Sequence, residues 1–103
     1  MCGRQKGGDD MEREVILRNA LSVYGHRAQI LVAAEECAEL AQALLKYTRR
    51  DGTVAEIDAA YHVREEMADV QIMLDQLYIL FGKPRDWERR KLERLAHRLT
   101  QDA

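Results

Sequence analysis

Apolar residues recur along this chain at intervals of three and four, and no stretch alternates strictly between apolar and polar. That spacing is the signature of amphipathic helix, and strand is not expected anywhere. The first helix is predicted over 10–23, where Asp9 and Glu12 have the spacing of a capping box. Gly25 breaks the pattern. The second helix is predicted over 26–49, ending near Asp51-Gly52, where glycine can take the left-handed cap. Thr53 and Glu56 repeat the capping-box spacing and open a third helix. A break is expected in it near 58–61, and it continues to Phe81 before Gly82 and Pro84 end it. A fourth helix over 85–100 carries a stripe of Glu88, Leu92, Leu95 and Leu99, with Ala96 beside it. The fold class is all-α, with two long helices as an antiparallel hairpin and flanking helices. Residues 1–9 are read as a flexible tail and 10–103 as a single domain.

Composition narrows this picture. A chain of 103 residues is enough for one domain. A domain of that size buries only about 60–70% of its unfolded surface, so self-association is expected to add stability. A net charge of −2 does not favour non-specific nucleic-acid binding, and nucleic acid is not an expected partner. No apolar run reaches the roughly 18 residues of a membrane span, and residues 1–8 lack the apolar core of a signal peptide. Cys2 and Cys37 are far apart. Cys37 lies in an apolar run and is expected as a buried thiol, and the absence of a disulfide framework points to a reducing cytoplasm.

The chemistry concentrates in two matching segments. Glu35-Glu36-Cys37-Ala38-Glu39-Leu40 is echoed by Glu65-Glu66-Met67-Ala68-Asp69-Val70, one on each long helix. At about 100° per residue, Glu39 falls roughly 60° and Glu35 roughly 100° from Glu36, so the three share one arc. Glu65, Glu66 and Asp69 share another. Apart from Gln42, the rest of 30–45 is apolar, which predicts a buried helix with its acids bordering a core. On the third helix Arg64, Gln71 and Asp75 fall opposite the acids and are assigned to solvent. Half-buried carboxylates repel one another and must be protonated or neutralised. No Lys or Arg shares either arc at that level, so a hard divalent cation is the economical counter-charge. Oxygen-only ligation selects Mg²⁺, with Mn²⁺ as a substitute, over Zn²⁺. A di-iron site built on Glu-x-x-His does not fit, because none of His26, His62 and His97 follows an acid by three.

These residues resemble the EExxE…ExxD signature of MazG-like nucleotide pyrophosphohydrolases, of the all-α NTP pyrophosphatase superfamily. Tyr24-Gly25, Leu44-Leu45-Lys46-Tyr47 and Ala68-Asp69-Val70-Gln71-Ile72-Met73-Leu74 extend the resemblance over about 20–82. It implies Mg²⁺-dependent hydrolysis of a (deoxy)nucleoside triphosphate to the monophosphate and pyrophosphate. It also implies Glu36, Glu39, Glu66 and Asp69 as metal ligands, with Glu35 as a further ligand or as the group that orients the attacking water. Glu35 and Glu36 are thereby the catalytic candidates. The resemblance further implies a four-helix-bundle assembly as a homodimer or homotetramer, and the apolar girdle of the long helices agrees.

No Gly-rich phosphate loop is present, so basic side chains are the expected phosphate partners. Lys46 is the best placed, since it shares the acidic arc of the second helix; Lys83, Arg85, Arg89 and Arg90 are further candidates. Gln29 lies on the Glu36 side two turns earlier and suits a base edge, and His62 lies on the acidic arc of the third helix one turn before Glu66. Tyr24, Tyr61, Tyr78 and Trp87 are assigned to packing first and to base stacking second. Two other functions stay open: a non-catalytic metal-binding assembly module, and a regulator using the Arg90, Arg94 and Arg98 stripe.

Overall fold

The computed structural model describes residues 6–50 and 52–102, with side chains from Met11 onward. The described residues form four helices and no strand: α1 (Lys6–Tyr24), α2 (His26–Arg49), α3 (Ala55–Phe81) and α4 (Arg85–Asp102). Each of the three breaks holds a glycine at positive φ, with Gly52 at +79° in the second. Gly25 and Gly82 have φ of +91° and +89° with ψ near 150°, a region that a side chain all but forbids. Each donates its N–H back to the helix it ends, to Leu21 O and Tyr78 O.

Three local expectations change. α1 begins at Lys6, so Asp9 lies within the helix and not at its N-terminal boundary; the first five residues of the expected tail lie outside the described part. Thr53 and Glu56 do not form a capping box. The Thr53 hydroxyl donates to Arg50 O, and Glu56 instead accepts the N–H of Gly52, tying the turn to the helix it precedes. α3 runs unbroken through 58–61, because Ala59 is buried there and packing overrides the weak helix preference of Asp58 and Tyr61.

α2 and α3 form the antiparallel hairpin, and α1 packs across both. The residues facing the hairpin seam recur alternately at four and three: Gln29, Ala33, Glu36, Leu40, Ala43 and Tyr47 on α2, and Ala59, Val63, Glu66, Val70, Met73 and Leu77 on α3. This is the spacing of a coiled-coil seam, which keeps one stripe facing its partner along the full helix. Alanine at 33, 43 and 59 lets the two helices approach closely. α1 closes one end with Leu17 and Leu21, both buried, and Arg13 Nε donates to Asp75 Oδ2 at 2.8 Å. Asp75 therefore faces α1 rather than open solvent, as its helix position alone had suggested.

The rest of the apolar surface is uncovered. Leu31, Leu44 and Leu45 of α2 are exposed, as is Cys37, so α2 is not the buried helix that its composition predicts. The physical reason is that only one layer, α1 with α3, lies against it. Among the described residues α4 packs against no other helix, and all of its residues are exposed. The chain is accordingly expanded, with a radius of gyration of 17.6 Å against about 13 Å for a compact domain of this length.

Candidate metal centre

Two positions of the seam that packing would fill with leucine are filled by acids. Glu36 and Glu66 occupy equivalent places on α2 and α3, each seven residues from a buried alanine toward the turn, Ala43 and Ala59. Glu39 stands one turn beyond Glu36 on the exposed flank. Carboxylate oxygens of Glu36, Glu39 and Glu66 lie within 4.8 Å of one another. Glu66 is only 7% exposed. Glu36 Oε2 and Glu66 Oε2 are both shut off from solvent without a hydrogen-bond partner. A buried acceptor left unpaired is unfavourable, and more so if charged.

Burial pushes the carboxyl of Glu36 above its usual range, and Glu39, Asp69, Glu66 and Glu35 push it further. Burial does the same to Glu66, reinforced by Glu39 and Asp69, while His62 pulls in the opposite direction. Among the described residues no Lys or Arg comes within 4.0 Å of these acids. The nearest cationic candidate is His62, whose Nε2 is 3.8 Å from Glu66 Oε1 and whose Nδ1 is 3.4 Å from Glu65 Oε1. The donor set is thus rich in hard oxygen, desolvated at Glu36 and Glu66 and short of positive charge, which is chemistry that a small divalent cation could satisfy.

The other named residues fall at different distances from this cluster. Asp69 is half-buried and close enough to raise both seam acids, but it is not one of the three that converge. Glu35 is exposed beside Glu36. A groove of about 550 Å³ opens next to the cluster, and Glu39, Glu66, His62, Lys46 and Arg49 are among the residues that line it. Arg49 was not singled out from sequence, although its spacing of three from Lys46 puts it on the same face. Gln29 does not line this groove. It is buried in the seam, about 10 Å along the helix from Glu36.

Lys83 and Arg85 line a different groove, with Arg13, Asp75 and Tyr78, at the other end of the hairpin. Glu66 lies fifteen residues, about 22 Å of helix, before the end of α3 at Phe81, and Lys83 and Arg85 lie beyond that end, away from the carboxylate cluster. Arg89 and Arg90 lie on the detached α4. Tyr24, Tyr61 and Trp87 are exposed rather than packed, because each sits on a helix face that nothing covers. Cations take some of that role: Arg64 lies over Tyr61 at 5.8 Å, and Arg90 over Trp87 at 5.3 Å.

No family model matches this chain, and neither does any curated protein or solved structure.

Proposed function

We propose that this protein is a Mg²⁺-dependent nucleoside triphosphate pyrophosphohydrolase of MazG-like type, converting (d)NTP to (d)NMP and pyrophosphate. One observation carries this reading: the seam acids Glu36 and Glu66 converge with Glu39, each keeping a buried, unpartnered oxygen, beside a groove furnished with cations. Glu36, Glu39 and Glu66 hold the ion, with Asp69 alongside. Bound there, Mg²⁺ supplies positive charge for the phosphate oxygens and lowers the pKa of water. Lys46 and Arg49 line the groove where a triphosphate lies, and their charges offset the negative charge that develops on attack at the α-phosphorus. Glu35, exposed beside Glu36, accepts a proton from the attacking water. His62 faces the same groove and contacts the substrate side of the centre. Gln29 would reach a base edge only by opening of the seam around it.

The uncovered faces support self-association as a homodimer or homotetramer of bundle type. A single layer leaves Leu31, Leu44 and Leu45 of α2 and Leu92, Leu95 and Leu99 of α4 in solvent, and a second copy would bury them. No described helix is long and apolar enough to cross a membrane. The free thiol of Cys37 fits the reducing cytoplasm proposed for it.

The test is product analysis. The protein is incubated with a panel of ribo- and deoxyribonucleoside triphosphates, with Mg²⁺ and then with EDTA, and products are separated by ion exchange. Metal-dependent monophosphate and pyrophosphate is the expected result. Diphosphate and phosphate would refute attack at the α-phosphorus. No product from any nucleotide would favour the alternative, a non-catalytic metal-binding assembly module.

A further inference from the structure

The carboxylate cluster does not account for His62. It lies one helical turn before Glu66 on the same face of α3, and its two ring nitrogens meet different acids. Nδ1 is 3.4 Å from Glu65 Oε1, and Nε2 is 3.8 Å from Glu66 Oε1. If Nδ1–H donates to Glu65, the lone pair of Nε2 points toward Glu66. A carboxylate behind an imidazole in this way is how proteins fix the tautomer and raise the basicity of a ligating histidine. Two donors on one ion, each about 2.1 Å from it, stand no more than about 4.2 Å apart, and the Nε2–Oε1 separation falls inside that limit. His62, Glu65 and Glu66 offer ligand atoms mutually within 4.8 Å, as Glu36, Glu39 and Glu66 do, and Glu66 belongs to both groups. Glu66 is also more than nine-tenths buried, with Oε2 unpartnered.

We propose that His62 and Glu66 form a second cation position beside the carboxylate centre, bridged to it by Glu66 and oriented by Glu65, whose imidazole donor selects a borderline divalent ion such as Mn²⁺, Co²⁺ or Zn²⁺ over Mg²⁺. The position faces the groove with Lys46 and Arg49, so an ion held there would meet substrate phosphate. This inference deepens the metal-centre reading and rests on it.

Co²⁺ titration of the full chain tests it, with d–d absorption reporting nitrogen ligation and calorimetry counting ions. Wild type is expected to bind two Co²⁺ per chain and His62→Ala one, with Mg²⁺ affinity at the remaining centre changed by less than about threefold. Glu65→Gln is expected to weaken the second ion by roughly 10–100-fold and to leave the first unchanged. His62 is exposed, so folding should survive; far-UV circular dichroism checks this, and His62→Gln replaces any variant that misfolds. A single ion in wild type, two ions in His62→Ala, or an absorption spectrum unchanged by that substitution would overturn the proposal. Pyrophosphohydrolysis with only one ion bound would refute this inference alone. Two ions without hydrolysis would refute the proposed function alone.

Discussion

The two acidic segments share a sequence pattern and differ in depth. On α2, Glu36 is half-buried and Glu39 exposed; on α3, Glu66 is buried and Asp69 half-buried. Only α3 adds a histidine one turn earlier. The difference follows from packing. α2 and α3 cover each other along the seam and α1 packs on both; within the seam Glu66 is the deeper member, and Glu39 stands on the exposed flank of α2. In the proposed centre the equivalent acids would divide the work, with Glu66 the desolvated member and Glu39 the accessible member that lines the groove.

The sharpest way to break this comparison is to remove one acid from each side. Glu66→Ala should lower kcat/KM for the best nucleotide by at least about 10²–10³-fold, and Glu35→Ala, which removes an exposed acid, should cost less. Equal losses would show that depth does not rank the acids. Metal removal comes next. Mg²⁺ at a hundredfold excess over its Kd should add about 2.7 kcal/mol to the folded state, and thermal unfolding in EDTA should report its loss as a fall of roughly 10–20 °C.

A smaller effect is set by pH. Burial raises the carboxyl pKa of Glu36 and Glu66, so the folded, metal-free protein holds these protons more tightly than the unfolded chain. Their contribution to stability is fully present below the usual value of 4.5, and it is lost as pH rises through the raised values. Metal-free protein should therefore melt a few degrees lower at pH 8 than near pH 5, after correction for other groups by comparison with Glu66→Gln. That variant should flatten the profile and melt higher than wild type in EDTA at pH 8. The least effect on a single chain is expected from α4. Leu95→Glu should change monomer stability by no more than about 0.5 kcal/mol, since among the described residues α4 packs on no other helix. The same change should shift the assembled form to a smaller mass in size exclusion with light scattering.

Much of this architecture is legible in the sequence because local rules govern it. Glycine at 25 and 82, with Pro84, marks two helix ends, and apolar periodicity marks all four helices. The facing of Glu36, Glu39 and Glu66 follows from simple wheel geometry once the hairpin is assumed. What periodicity cannot supply is the partner of each face. The α2 and α4 stripes look like core yet lie uncovered, and Cys37 goes with them. Asp75 seems solvent-facing until α1, sixty-two positions away, brings Arg13 to it. The placing of Glu36 and Glu66 in the seam itself also depends on a repeat of 3.5, which a wheel drawn at 3.6 residues per turn blurs. Arg49 could have been found by stepping three residues on from Lys46.

The most direct test of the central claim is Mn²⁺ binding followed by electron paramagnetic resonance, in wild type and in Glu66→Gln. Glu66→Gln keeps the shape of the seam and removes one charge. Wild type should take up Mn²⁺ stoichiometrically in competition with Mg²⁺, and Glu66→Gln should leave nearly all of it free at the same concentration while keeping its helical circular dichroism. Equal binding by the two folded proteins would contradict the account, because the buried carboxylate of α3 would then not hold the ion.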